Sequence, residues 1–174
     1  MTASHTPRLG LSLLFLSSLL ACLSGPPTQQ SIQKQLTKHH PEFADLCNSF
    51  PALGVHTIGV EQGRVVLGYG QTFLFSGPTD ADLALAHLDR ASYDATVKRL
   101  LAIDILQIQT GEGSDPGVDF IVDMSGISVS GSTTWIHCGA TPPAPPSDPS
   151  AASSSDGRAC DPLEAGWWLC MEWT

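Results

Sequence analysis

The sequence predicts an α+β domain: a mostly antiparallel sheet of hairpins with one covering helix, plus a short C-terminal helix. Three observations carry this. Residues 55–60 and 64–69 are rich in β-formers and flank Glu61-Gln62-Gly63, where glycine supplies the positive φ of a hairpin turn. A second alternating pair, residues 118–124 and 127–138, flanks Ser125-Gly126. Between the pairs, Val97, Leu100 and Leu101 recur at three- and four-residue spacing, which builds one apolar helical face to lie on the sheet.

Residues 1–21 read as a signal peptide. Arg8 gives a positive start, and residues 9–20 form an apolar run of twelve, shorter than the roughly 20 residues a membrane span requires. Residues 22–30, with Gly25, Pro26 and Pro27, have the composition of a flexible tether. The α+β domain is expected over 31–138. It starts with a weak helix over 31–40 that stops before Pro41, followed by a short turn of helix over 42–47. After the first hairpin, residues 71–75 add a third strand, stopped by Gly77-Pro78. Helical spacing returns over 80–91, and Ser92 is placed to cap the stronger helix over 93–103. A short strand over 105–109 and a glycine-rich loop over 111–117 lead into the second hairpin. Residues 139–158 are a linker or loop of proline, alanine and serine, a composition that buries little apolar surface. The last segment, 159–174, holds Trp167, Trp168 and Trp173. Asp161 as N-cap, Pro162 at the first helical position and Glu164 closing a capping box predict a helix there.

At the end of the apolar run stands Leu19-Leu20-Ala21-Cys22, which resembles the lipobox of bacterial lipoproteins. The resemblance implies a diacylglycerol on the Cys22 thiol, removal of the leader, and acylation of the new amino terminus by a fatty acid such as palmitate. Two or three acyl chains anchor a protein stably, at about 0.8 kcal/mol per buried methylene. Leu23 follows the cysteine where an aspartate would imply retention in the inner membrane, so the resemblance points to the outer membrane. The stretch from Cys47 to Cys138 also resembles, in layout, an uncharacterised domain that recurs in bacterial lipoproteins. Cys47, Pro51, Gly63, Leu100, Leu101, Asp115 and Pro116 stand at its marker points, and Phe50 replaces its usual second cysteine. That resemblance implies no activity.

The chain carries eight basic and seventeen acidic residues, and the net charge is −9. All the acidic residues follow the leader, and beyond Leu100 Arg158 is the only basic one. Such a surface repels phosphate backbones and anionic head groups, so no nucleic-acid partner is expected and membrane contact falls to the lipid on Cys22. Cys47, Cys138, Cys160 and Cys170 make an even set, suited to two disulfides in an oxidising compartment. If the tail is helical, Cys160 and Cys170 stand about 15 Å apart, beyond the roughly 7 Å a bridge allows. Cys138 would then pair with Cys160, and Cys47 with Cys170. A non-helical tail permits Cys160 with Cys170, and Cys47 with Cys138.

No catalytic motif, CxxC pair or cofactor fingerprint occurs, and no cofactor is expected. Adjacent His39 and His40 diverge on a helix, His87 and Asp89 face different sides, and His137 and Cys138 alternate across a strand. Glu112, Asp115 and Asp119 form a calcium candidate, with Asp123 on the same strand face as Asp119 but too far along to share an ion. The expected function is a non-enzymatic envelope module that contacts another envelope protein or the cell wall, with Trp167, Trp168 and Trp173 as interaction candidates. The alternative is a small-ligand or calcium-binding domain.

Overall fold

The computed structural model describes residues 27–60, 65–111, 117–127, 130–142 and 157–173. Helix α1 spans Gln29–Ser49, so residues assigned to the tether open it, and Thr28 caps it by accepting from the Ser31 N–H at 3.2 Å. Pro41 does not end the helix. It bends it at His39 (φ −115°, ψ 19°), and the helix continues to a 3₁₀ turn over Phe50–Leu53. Ile32, Leu36, Phe43 and Leu46 form its buried stripe.

Among the described residues, eight strands follow: β1 (Thr57–Gly59), β2 (Leu67–Tyr69), β3 (Thr72–Leu74), β4 (Gln107–Thr110), β5 (Val118–Ile127), β6 (Ser130–Cys138), β7 (Gly157–Glu164) and β8 (Trp167–Trp173). They form one antiparallel sheet in the order β3-β2-β1-β4-β5-β6-β8-β7. The α+β class holds, with the first hairpin paired through Thr57 and Gly68. Its turn at Glu61-Gln62-Gly63 lies outside the described residues.

Between β3 and β4 come α2 (Asp80–Leu85) and α3 (Arg90–Ala102). The first is half the predicted length. Asp89, not Ser92, caps the second, accepting the Ser92 N–H at 2.9 Å. Thr79 and Asp82 form a reciprocal capping box on α2. The Asp82 carboxyl is held below its ordinary value of 3.8 by the Thr79 hydroxyl and backbone N–H, and the Ser92 hydroxyl and N–H act likewise on Asp89. A carboxylate with a depressed native pKa contributes stability above its unfolded pKa and loses it as pH falls through the native one. The melting temperature is therefore expected to decline below about pH 3.8, and less steeply in an Asp82→Asn/Asp89→Asn variant; parallel acid profiles would refute this role for the caps.

The three helices bury onto one face of the sheet. Ile58, Ile108, Phe120, Ile136 and Trp167 meet Phe43, Leu46, Leu83 and Leu100 in a continuous core. Phe43 packs edge-on against Phe120 at 5.0 Å and against Trp167 at 6.1 Å. Cys47 on α1 is bonded to Cys138 at the end of β6. Arg99 on α3 holds α1 by hydrogen bonds to Glu42 and Asp45.

Two expectations at the C-terminal half are overturned. The predicted terminal helix is the β7–β8 hairpin, turning at Gly166 with φ +78°. Seven residues of β8 pair with β6, and Trp167 and Leu169 face the core while Trp168 and Cys170 face away, a period of two. That long-range ladder outweighs the local Asp161-Pro162-Glu164 helix signal. The disulfides follow: Cys160 and Cys170 lie directly opposite in the ladder, with Cα atoms 4.1 Å apart, and are bonded. The pairing of Cys138 with Cys160 and Cys47 with Cys170, which required a helical tail, is incorrect. Gly157 and Arg158, assigned to the linker, belong to β7; residues 143–156 lie outside the described residues.

Candidate functional site

The face of the sheet opposite the helices carries side chains of another kind. Cross-strand neighbours share a face, so the register assembles rows. One row runs from Gln109 through Asp119 and His137 to Trp168. The next runs from Gln107 through Ile121 and Trp135 to Cys170 and Cys160. A third joins Met124, Thr133, Glu172 and Arg158. Together these rows enclose a recess of about 350 Å³.

Its floor is the Trp135 indole, which packs with Ile121, Trp168 and the Cys160–Cys170 bridge. The Arg158 guanidinium sits 5.3 Å from the indole centroid and donates from Nε and Nη2 to Glu172 Oε2 at 3.1 and 2.6 Å. On the far wall Gln107 Nε2 donates to Gln109 Oε1 at 2.9 Å. This bond fixes both amides, leaving Gln107 Oε1 as an acceptor and the Gln109 amide hydrogens as donors. Trp135 is 5% exposed, and its Nε1–H has no acceptor. Leaving a buried donor unsatisfied costs about 1–3 kcal/mol, so such a group in a native protein asks for an explanation.

Beside the recess, His137 is 1% exposed and its Nδ1 lies 2.7 Å from Asp119 Oδ1. The imidazole fits because Gly117 and Gly139 lack side chains. A Cβ on Gly117 would stand 2.5 Å from His137 Cε1, and one on Gly139 2.3 Å from Nε2. Nε2 is buried without a partner. A His–Asp pair often serves catalysis; here the imidazole is buried, and Asp119 lines the recess. The 2.7 Å contact holds Asp119 in place in the recess wall.

The sequence-predicted site residues fall in different places. Asp119 is bonded to His137, while Glu112 and Asp115 lie outside the described residues. Asp119 and Asp123 do not share a face. A bulge between Ile121 and Asp123 turns Asp123, paired with Thr134, toward the helices. Among the described residues no group of His, Cys, Asp and Glu is arranged to hold a metal ion. Of the adjacent histidines His39 and His40, the second bonds Glu164 at 2.9 Å, and the nearby Glu42 bonds Arg99. His137 and Cys138 do point to opposite faces. Of the interaction candidates, Trp167 is buried in the core and Trp168 Nε1 donates to Gly139 O at 3.3 Å; Trp173 is 39% exposed. Cys22 lies outside the described residues.

Sequence reading missed the recess and the Asp119–His137 pair. The second depends on the register of the hairpin. A turn placed at Ser125-Gly126 cannot set Asp119 opposite His137, whereas β5 in fact continues to Ile127 and β6 begins at Ser130. Comparison of the chain with models of protein families, with curated proteins and with solved structures finds no match in any of the three.

Proposed function

We propose that this protein is a lipid-anchored envelope protein whose folded domain is a non-enzymatic binding module, and that its ligand is a small polar molecule seated in the recess over Trp135. The observation that carries the reading is the buried Trp135 Nε1–H without an acceptor, set in a recess whose wall amides are fixed by each other. A ligand that draws this donor into a hydrogen bond would satisfy it only in the bound state, which adds to affinity. Two disulfides accord with an extracytoplasmic setting. No described helix is long and apolar enough to cross a membrane, and in this reading attachment comes through Cys22 and directs the protein to the outer membrane. A contact with another envelope protein or the cell wall through the tail is less well supported, because Trp167 and Trp168 are engaged inside the fold.

Both halves of the proposal are testable on the full-length protein in bacterial membranes. The wild type is expected to partition with membranes and to carry acyl chains by mass, while Cys22→Ser moves to the soluble fraction. A soluble, unmodified wild type would refute the anchor. Native mass spectrometry of detergent-released protein is expected to show a small adduct that Trp135→Phe reduces. An adduct unaffected by that change, or none at all, would count against the recess.

A further inference from the structure

Resting on the reading of the recess as a ligand seat, we infer that its ligand is neutral and hydroxyl-rich, of the size of one or two sugar rings. Size comes first: about 350 Å³ lies at the lower end of ligand pockets, which run from roughly 300 to 1,000 Å³.

Charge comes next. An anion entering the recess would meet Asp119 and Glu172, and the Arg158 Nε and Nη2 atoms are already directed at Glu172. A cation would meet the Arg158 guanidinium, and its natural partners are engaged, Asp119 with His137 and Glu172 with Arg158. Displacing either pairing would leave a charge poorly compensated in a half-buried site. A neutral ligand disturbs neither.

Hydrogen-bonding capacity then selects among neutral ligands. The recess is lined by Trp135, whose Nε1–H can only donate, has no acceptor and is closed to solvent, so that a ligand must shift the indole to reach it; by Gln107, with an acceptor at Oε1; and by Gln109, with further donors. These three stand on adjacent rows of rigid strand. A hydroxyl both donates and accepts, so several hydroxyls on one ring can answer this mixed array, whereas a purely apolar ligand would leave it unmet. Ile121 and Met124 offer apolar surface for the C–H face of a ring.

The test is isothermal titration of the protein with glucose, galactose, mannose and N-acetylglucosamine, alongside glucose 6-phosphate, glutamate and spermidine. At least one neutral sugar is expected to bind saturably at millimolar concentration or below. Trp135→Phe and Gln109→Ala should each weaken that binding about tenfold, the effect of one hydrogen bond, with melting temperatures close to wild type. Gln109 is partly exposed, so its variant keeps the test open should Trp135→Phe fold poorly. Maltose and diacetylchitobiose separate the two sources of this chemistry: tighter binding than the single ring marks a glycan end, equal binding a free sugar. If a charged probe binds in a Trp135-dependent way and no neutral sugar does, the sugar class is overturned and the ligand seat stands. Silence of every probe overturns the sugar class, and a Trp135→Phe variant that is also more stable than wild type overturns the seat with it.

Discussion

Replacing Cys47 and Cys138 together by alanine is expected to lower the unfolding free energy by about 4–5 kcal/mol. The bridge closes a loop with a sequence separation of 91, and the entropy removed from the unfolded chain grows with the logarithm of that length. The corresponding change at Cys160 and Cys170, separated by 10, is expected to cost only about 3 kcal/mol. For a domain whose whole stability is about 5–15 kcal/mol, the first loss is a large share. Chemical denaturation of the two double variants under oxidising conditions checks both values. A larger loss at the short bridge would show that loop entropy does not govern here, and that the Cys160–Cys170 link acts by holding β7 to β8.

The second large effect is expected at His137. Its removal leaves Asp119, 6% exposed, without its charged or hydrogen-bonded partner, and breaking a buried pair in this way costs about 3–5 kcal/mol. His137→Ala should therefore approach the disulfide variant in urea midpoint. Replacing both residues by leucine should recover much of the loss, because no buried charge is then stranded. If His137→Ala alone proves mild, Asp119 reaches water through the recess, and its place in the wall is less rigid than the 2.7 Å contact indicates.

Where sequence and structure agree, the signal was local and strong. Thr57–Gly59 and Leu67–Tyr69 pair as the first hairpin, residues 72–74 extend it, and Val97 and Leu100 lie on a helix packed against the sheet, although Leu101, expected on the same face, is 62% exposed. Where they part, a local signal met a partner distant in sequence. Asp161, Pro162 and Glu164 have the residue types of a helix start, yet Trp167 to Trp173 gain seven ladder partners on β6, 29 to 41 residues earlier. Alternation at Trp167, Leu169 and Met171 was visible in the sequence but competed with the capping pattern. The recess lay beyond reach for a different reason. Gln107, Trp135 and Arg158 come from three strands, and their meeting depends on the bulge after Ile121 and on the true turn of the second hairpin. A shift of one residue in either reverses which face a side chain joins.

The two borders of the sheet bear on how such a protein behaves in a crowd. β3 is only three residues long, and β7 carries Pro162, which has no N–H to offer, followed by a register shift before Glu164. Neither border offers a long, regular row of open backbone groups to a neighbour. High local density is a condition under which open strand edges readily find one another. With its borders blunted in this way, the domain is poorly suited to pair edge to edge with copies of itself.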